Sequence, residues 1–220
     1  DTRSAAALDL SDLNGTNGFR IDGIDAGDYS GISVSSAGDV NGDGVDDLII
    51  GAYRADPGGN SYAGESYVVY GSDTRSAAAL DLSDLNGTNG FIINGIDAYD
   101  QSGRSVSSAG DVNGDGIDDL IIGAYGADSY TGESYVVYGS KTRSESELDL
   151  SDLNGTNGFR INGTDTYDFS GGSVSSAGDV NGDGIDDLII GANGANYAGE
   201  SYVVYGSDTR SAAALDLSDL

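Results

Sequence analysis

Apolar residues along the chain fall into short blocks that are separated by clusters of Gly, Asn, Asp and Ser. The block "DLIIGA" is continuously apolar, which is typical of a strand covered on both faces. The block "SYVVYG" combines β-branched and aromatic residues, which favour strands. "SVSSAGDV" carries small residues that suit a crowded strand, and "GFRIDG", "GFIING" and "GFRING" alternate between apolar and polar side chains. The pattern therefore predicts four kinds of short strand separated by turns.

One block, "SAAALDLSDL", has no single interpretation. Its alanines permit a helical turn, whereas Leu8 and Leu10 fit one face of a strand. At this level both interpretations stay open. Elsewhere helix is disfavoured, because the chain contains 36 glycines and strand-forming residues dominate the remainder.

The blocks recur in the same order in long repeats. The phrase "DTRSAAALDLSDLNGTNGF" begins at Asp1 and at Asp73, a variant begins at Lys141, and a partial copy begins at Asp208. Length varies only between "IIGA" and "GESYVVYG", a segment that contains the single proline, Pro57, and several Gly and Asn. We therefore predict a surface loop there and a constant structural unit elsewhere.

Four strands per repeat predict an all-β fold of radially stacked sheets, as in the blades of a β-propeller. Each sheet has two apolar faces that neighbouring sheets must cover. Because a closed ring needs about 4–8 blades, we expect three blades of four antiparallel strands that form part of a larger propeller or repeat assembly. The outer strand of each blade is expected to come from the next repeat. The predicted segments are residues 1–30 (connection and outer strand), 31–95 (blade 1), 96–163 (blade 2), 164–207 (blade 3, outer strand missing) and 208–220 (start of a fourth repeat).

Composition restricts the chemistry that this fold can carry. The chain has 37 acidic and 9 basic residues and a net charge of −28, which disfavours binding to nucleic acid or anionic lipid. No apolar run reaches the about 18 residues of a membrane span, so we expect no membrane insertion. Cys, Met, His and Trp are absent, which excludes disulfides, the usual zinc and copper ligands and the usual nucleophile–base pairs. Without an initiator Met or a recognisable signal peptide, a mature or excised piece of a protein is expected.

The acidic residues are concentrated in one loop of each repeat, within "AGDVNGDGVDDLIIGAY" in the first. Counted from Asp39, side-chain oxygens fall at positions 1, 3, 5 and 9, the Val45 carbonyl falls at position 7, and Gly44 at position 6 permits a sharp turn. This spacing wraps five or six hard oxygen ligands around one centre, which describes a Ca²⁺ site better than a Mg²⁺ site. We therefore predict three calcium sites, with ligands from Asp39, Asn41, Asp43, Val45 and Asp47, from Asp111, Asn113, Asp115, Ile117 and Asp119, and from Asp179, Asn181, Asp183, Ile185 and Asp187.

An Asp- and Gly-rich turn without metal is the alternative interpretation of this loop. All three copies keep every ligand position, whereas a mere turn would tolerate substitutions, and carboxylates this close repel one another without a cation. Other calcium loops fit less well, because EF-hands and dockerins need an acidic twelfth position and a following helix. Here position 12 is Ile50, Ile122 or Ile190 within a predicted strand.

The segments "SGISVSSAGDVNGDGVDDLIIGAY" and "GESYVVYG" resemble FG-GAP repeats, the blades of the integrin α-subunit propeller and of many bacterial surface proteins. The family scheme combines a Gly-rich FG-x-S-V segment, a D-x-[DN]-x-D-G-x-x-D loop, DL-x-[IV]-G-A-P and G-x-x-Y-V. The match covers nearly all of each repeat, and the long "LDLSDLNGTNGF" connection is more similar to bacterial calcium-binding members. The departures leave the blade assignment intact; they are Tyr53, Tyr125 and Asn193 in place of the usual Pro, and Ile32, Arg104 and Gly172 in the FG segment.

The pattern is compatible with three classes of function. The first is a non-enzymatic, calcium-stabilised structural or adhesive repeat of an extracellular or cell-surface protein, with copies or neighbouring repeats packed head to tail in an array or filament. The second is a propeller that binds an extracellular ligand such as a glycan or peptide. The third is an enzyme with paired carboxylates such as Asp46 and Asp47, which is disfavoured because groups repeated in every unit are usually structural. The second class would use tyrosines that more simply pack between blades, namely Tyr29, Tyr53, Tyr99, Tyr125 and Tyr167.

Four Asn-Gly-Thr triplets match the acceptor pattern for N-glycosylation. Asn-Gly is also a common turn dipeptide, so both interpretations are open. The triplets begin at Asn14, Asn86, Asn154 and Asn162.

Overall fold

A computed structural model describes residues 8–220, so the part of the first predicted connection that falls on residues 1–7 lies outside the described residues. Within residues 8–220 the fold is almost entirely β. The strands are β1 (Arg20–Asp22), β2 (Ser33–Gly38), β3 (Asp47–Ala52), β4 (Glu65–Val69), β5 (Ala79–Asp81), β6 (Gly90–Asn94), β7 (Ser105–Gly110), β8 (Asp119–Ala124), β9 (Glu133–Val137), β10 (Glu147–Asp149), β11 (Gly158–Asn162), β12 (Ser170–Gly178), β13 (Asp187–Ala192), β14 (Glu200–Val204) and β15 (Ala214–Asp216).

Helical structure is limited to single turns in the described part of the chain. One four-residue turn, α1, spans Ala127–Tyr130, and Asp128 and Ser129 within it have left-handed φ values of 44° and 60°. No helix in residues 8–220 is long and apolar enough to cross a membrane. The remaining turns are of the 3-10 type and span Leu10–Asp12, Pro57–Gly59, Leu82–Asp84, Leu150–Asp152, Ala195–Tyr197 and Leu217–Asp219.

The predicted blade of four antiparallel strands is confirmed. In the first complete sheet β2 pairs with β3, β3 with β4, and β4 with β6. In the second sheet β7, β8, β9 and β11 pair in the same antiparallel order. Because β6 and β11 belong to the "GFIIN" and "GFRIN" segments, the fourth strand of each sheet comes from the following repeat.

Each complete sheet also has a fifth strand, which the sequence pattern did not predict. The short strand β10 pairs in parallel with β6, and β15 pairs in parallel with β11. These two strands and the equivalent β5 are each followed by a 3-10 turn, whose first residue is buried; the three residues are Leu82, Leu150 and Leu217. In the three later copies the ambiguous segment is therefore a strand and a helical turn in succession, whereas the described residues of the first copy form only the turn Leu10–Asp12. The first sheet contains strands of three consecutive repeats.

The described residues at the two ends of the chain form smaller sheets. The third sheet contains β12, β13 and β14, and β1 pairs only with β5 among the described strands. The pairing of β1 with β5 is parallel, as in the other two outer pairs.

The core lies between the stacked sheets. All six residues of β8 are buried, because the second sheet has a neighbour on each face. The inner strands β2, β7 and β12 lie side by side. They are joined by hydrogen bonds in which Ser33 Oγ accepts from the Val106 N–H, and Ser105 Oγ from the Val174 N–H, both at 3.1 Å.

Candidate metal centre

The three aspartate loops lie on one rim of the stacked sheets, each between the inner strand and the second strand of its sheet. In the first repeat β2 ends at Gly38 and β3 begins at Asp47, so loop positions 1 to 8 form the turn and position 9 begins the strand. Gly38, Gly42 and Gly44 have φ values of 74°, 69° and 90°. Glycine adopts this left-handed conformation without steric cost, which explains how the chain reverses within so few residues.

Backbone N–H groups of the loop hold the predicted ligand side chains in place. The Asp39 carboxylate accepts from the Asp43 N–H at 3.0 Å and from the Gly44 N–H at 2.8 Å. The Asn41 and Asp43 side chains each accept from the N–H two residues further on, both at 2.9 Å. These local bonds orient the polar side chains towards the inside of the turn. The same bonds form around Asp111 and Asp179.

The carboxylate at position 9 differs from the others because it is fully buried in all three loops. Asp47 Oδ2 accepts from the Val40 N–H at 3.1 Å, and its Oδ1 accepts from the Gly71 N–H at 2.7 Å. These bonds connect the loop with the residues that follow β4. Burial raises the pKa of Asp47 to about 6 and that of Asp119 to about 8, although the backbone hydrogen bonds oppose the shift.

The donor set of each loop fits a hard cation. It offers three carboxylates, one amide oxygen and one backbone carbonyl, which are the ligand types that Ca²⁺ prefers. An ionised carboxylate has about four lone-pair sites, so the hydrogen bonds to the loop leave oxygen lone pairs for an ion. Across residues 8–220, however, no three acidic side chains lie close enough together to hold a metal ion as they stand. Occupation of the loops by calcium therefore stays a prediction.

The aspartate at loop position 8 joins neighbouring blades, a role that the sequence did not suggest. Asp118 Oδ2 accepts from the Asp39 N–H of the preceding loop at 2.8 Å, and Asp186 Oδ2 accepts from the Asp111 N–H at 3.1 Å. A Cβ added at Gly38 would overlap the Asp118 carboxylate, which explains the glycine before the loop. Positions 8 and 9, considered above as a carboxylate pair, therefore make separate contacts, one across the blade junction and one within the blade.

The arginine of the "TRS" segment is a second repeated contact that the sequence analysis missed. The Arg143 guanidinium lies 4.7 Å from the centre of the Phe91 ring and donates to the Tyr138 carbonyl at 3.1 Å. Burial lowers the pKa of Arg143. This cation–π contact fastens the connecting segment to the outer strand of the blade. The equivalent pairs are Arg75 with Phe19 at 4.9 Å and Arg210 with Phe159 at 4.7 Å.

The tyrosines considered above lie on the opposite rim, at the loops that enter the inner strand and leave the central strand. Tyr29, Tyr99 and Tyr167 are exposed and have left-handed φ values of 58°, 72° and 70°. Tyr53 and Tyr125 are half-buried, and the Tyr53 ring lies 5.9 Å from that of Tyr29. The other two exposed tyrosines also contact aromatic neighbours, Tyr99 with Tyr62 at 5.8 Å and Tyr167 with Tyr130 at 6.0 Å between ring centres. All five side chains therefore pack against other groups, and three of them keep a large exposed surface at this rim.

The first two sheets differ in charge at one equivalent position. In the second sheet Arg160 Nη1 lies 3.5 Å from Glu133 Oε1. In the first sheet the equivalent residue is Ile92, which lines a cleft with Glu65 and further acidic side chains. Burial and neighbouring carboxylates raise the pKa of Glu65. The first sheet therefore has an acidic cleft that lacks the arginine of the second.

Three of the four Asn-Gly-Thr triplets form turns. Asn14 Oδ1 accepts from the Thr16 N–H at 3.0 Å and from Thr16 Oγ1 at 2.6 Å. The same turn occurs at Asn86 and Asn154. Asn162 instead ends β11 and donates to Asp216 at 2.6 Å.

Comparison with known proteins gives one family and several relatives. The model of the FG-GAP repeat matches residues 30–69, 102–137 and 170–204, and each match contains one aspartate loop. Phosphatidylinositol-glycan-specific phospholipase D of Bos taurus is 35% identical over 166 residues, which cover 74% of this chain and 18% of that protein. Integrin alpha-5 of Xenopus laevis is 32% identical over 190 residues (83% and 17%), and integrin alpha pat-2 of Caenorhabditis elegans is 34% identical over 170 residues (76% and 13%). The chain thus spans less than a fifth of the length of these relatives.

Proposed function

The chain belongs to the FG-GAP repeat family, and from this premise we propose that it is a non-enzymatic, calcium-stabilised structural or adhesive module of an extracellular or cell-surface protein. The observation that carries the proposal is the fully buried aspartate at position 9 of three equivalent, oxygen-rich loops. A buried carboxylate is costly in its charged form unless hydrogen bonds or a cation compensate it. Burial raises the pKa of Asp119 to about 8 although two backbone N–H groups donate to its carboxylate, so a cation bound in the loop would stabilise the charged form of this side chain.

Bound Ca²⁺ would supply positive charge to each loop, held by the side chains at positions 1, 3, 5 and 9 and by the carbonyl at position 7. The protein's own contribution is to connect each loop with the rest of the fold. Asp47 ties the loop to Gly71 after β4, and Asp118 ties the second loop to the first. Ordering one loop would therefore also order the junction with the next blade.

The near-identical repeats support a place in an extended array or filament, in which copies or neighbouring repeats pack head to tail. An extracellular location fits this proposal, because low-affinity calcium modules are filled where the ion is near millimolar. The "LDLSDLNGTNGF" connection supports the bacterial surface-protein type of repeat. No catalytic residue is proposed, since the chain matches only 18% of the phospholipase D relative and its carboxylate pairs recur in every repeat.

Calorimetric titration of chelator-stripped protein with Ca²⁺ tests this function. We expect a stoichiometry near three for the 220-residue chain and near two for Asp115→Ala, which removes one predicted ligand. Asp46→Ala is the matched control, because it removes a loop carboxylate that is not a predicted ligand. A stoichiometry of zero or one for the unaltered chain would overturn the proposal.

A ligand-binding propeller is the second candidate function. It is favoured by the exposed tyrosines with left-handed φ at the opposite rim, Tyr29, Tyr99 and Tyr167. Backbone strain of this kind is concentrated at functional sites, and exposed aromatic rings can stack on sugars or peptide side chains. A glycan array probed in calcium would support this candidate if binding were lost in Tyr99→Ala with an unchanged melting temperature.

A further inference from the structure

The first and third sheets each have an apolar face with exposed side chains. The equivalent faces at the two internal junctions of the stack are buried. On the first sheet, the face that includes Val34 and Leu48 is called the leading face; Val34 is 65% exposed, whereas the equivalent Val106 and Val174 are 4% and 6% exposed. On the third sheet, the face that includes Ile189 and Val203 is called the trailing face.

The trailing face of the third sheet is also more exposed than the equivalent faces of the first and second sheets. Val203 is 41% exposed, whereas its equivalents Val68 and Val136 are fully buried. In the first blade junction, Val68 packs in one hydrophobic cluster with Val106 of the next sheet. In the second junction Val136 packs with Val174. Each internal junction is therefore a trailing face against a leading face. Among the described residues no sheet covers the trailing face of the third sheet. On the leading face of the first sheet Val34 and Leu48 are exposed, whereas Ile50, Tyr67 and Val69 already pack in one cluster with Ile21 and Leu80.

The two faces also carry the donors and acceptors that form hydrogen bonds between sheets at the internal junctions. Inside the stack, the valine of each leading face donates its N–H to a serine Oγ of the preceding sheet. The equivalent groups at the ends are the Val34 N–H on the leading face and Ser173 Oγ on the trailing face. Likewise, Asp118 accepts from the Asp39 N–H across a junction. The equivalent end groups are the Asp46 carboxylate and the Asp179 N–H.

The strand edges add a third complementary pair. In the second sheet β9 pairs with β11 so that Val136 lies opposite Phe159. In the third sheet the equivalent edge of β14 has no strand beside it among the described residues, and β1 pairs only with β5 there. The β1 segment of another copy has the sequence that would extend β14 in the register of β9 with β11.

We propose that the leading face of one copy docks on the trailing face of a second copy, and that β1 of the first copy is added to the edge of β14 in the second copy. The partner is a second copy because both halves of the junction are present in this chain, and its internal junctions show how they fit. Such an interface is heterologous, so it continues into a ring or a filament rather than stopping at a two-fold dimer. The inference deepens the array part of the proposed function and rests on it, but it does not require calcium binding.

One segment must move for this docking. Leu10 is 76% exposed, whereas the equivalent Leu217 is 3% exposed and already fills its place next to β11. The segment around Leu10 of the arriving copy therefore turns aside, and little packing is lost because its leucine is largely exposed beforehand.

Sedimentation velocity with single-face variants tests the proposal. The unaltered chain, in calcium and in moderate salt to screen its charge, should form species heavier than 22.3 kDa as concentration rises. Val34→Asp blocks the leading face and Val203→Asp blocks the trailing face, so each variant alone should sediment as a monomer. An equimolar mixture contains one intact face of each kind and should form a dimer. Tyr99→Asp on the opposite rim is the control and should assemble like the unaltered chain.

The experiment can overturn the docking of copies and the calcium sites independently of each other. Both altered valines are exposed, and circular dichroism melts would verify that the variants fold. A monomeric unaltered chain at every concentration, or a mixture of the two variants that stays monomeric, would overturn the docking. Calcium titration of Val34→Asp completes the test, because three sites without assembly of the unaltered chain would overturn docking alone. Assembly without calcium binding would overturn the metal sites alone.

Discussion

Asp118→Ala removes the carboxylate that joins the first two aspartate loops. In the folded protein Asp118 Oδ2 accepts from the partly buried Asp39 N–H at 2.8 Å, and the alanine side chain has no acceptor for this N–H. A hydrogen bond to a charged group contributes about 1.5–3 kcal/mol. For a chain of this size each kcal/mol corresponds to about 2–4 °C, so we expect the melting temperature to fall by about 3–12 °C. Thermal unfolding followed by circular dichroism at saturating calcium would measure the shift.

Asp46→Ala is the matched control for this prediction. It removes the same charge from the same loop position, but within residues 8–220 the Asp46 carboxylate accepts no N–H from another blade. Any change in melting temperature that is caused by the loss of one negative charge or by altered calcium affinity should therefore appear in both variants. The measurement requires dilute protein, where copies do not associate. If the two variants melted at the same temperature, the contact between Asp118 and Asp39 would contribute nothing and the reasoning would be refuted.

Three further perturbations test other contacts. Chelation of calcium should lower the melting temperature, since binding only to the folded state stabilises it by about 2.7 kcal/mol per site at 100-fold excess over Kd; an unchanged melting curve would exclude a role in stability. Ile92→Arg should stabilise the first sheet by about 0.2–1 kcal/mol by placing a guanidinium beside Glu65, and Arg160→Ile should destabilise the second by a similar amount, both measured by urea unfolding. Asp100→Asn should be about 1–2 kcal/mol more stable than the unaltered chain at pH 7, because burial raises the pKa of Asp100 to about 6. A raised pKa means that the folded state binds the proton more tightly, so stability of the unaltered chain rises as pH falls from about 6 towards 4, and the gap should close over that range.

The parts of the fold that the sequence predicted are those determined by local pattern. The continuous apolar run of β8 is buried on both faces, as its composition required. The alternation of "GFIIN" matches the outer strand β6, and the glycines of the loop occupy positions with left-handed φ. In each case the residues that decide the structure lie within a few positions of one another.

The parts that the sequence did not predict depend on contacts between distant residues. The parallel strands β5, β10 and β15 are three residues long, too short to show a period, and their partners lie in an earlier repeat. Asp118 and Asp39 are separated by 79 positions, so no local pattern distinguishes the position-8 aspartate from a solvated one. The arginine over Phe91 is likewise visible only once the connecting segment has folded against the outer strand. The sequence did contain one indication of these contacts, because the arginine, the phenylalanine and the glycine before the loop recur in every full repeat.

The positions of these unpredicted contacts argue that the aspartate loops and the blade junctions act as one element. The loop rim carries the Asp118 contact, and the Ser140 N–H of the second blade donates to the Val40 carbonyl of the first loop at 2.8 Å. The third blade repeats this bond from the Ser207 N–H to the Val112 carbonyl at 2.9 Å. Val40 and Val112 follow the first predicted ligand of their loops, so a change in either loop moves an acceptor of the next blade. Without such coupling, a bound cation would stabilise only a turn. With it, cations in the three loops would also stabilise the contacts between blades, which the short strands alone hold weakly.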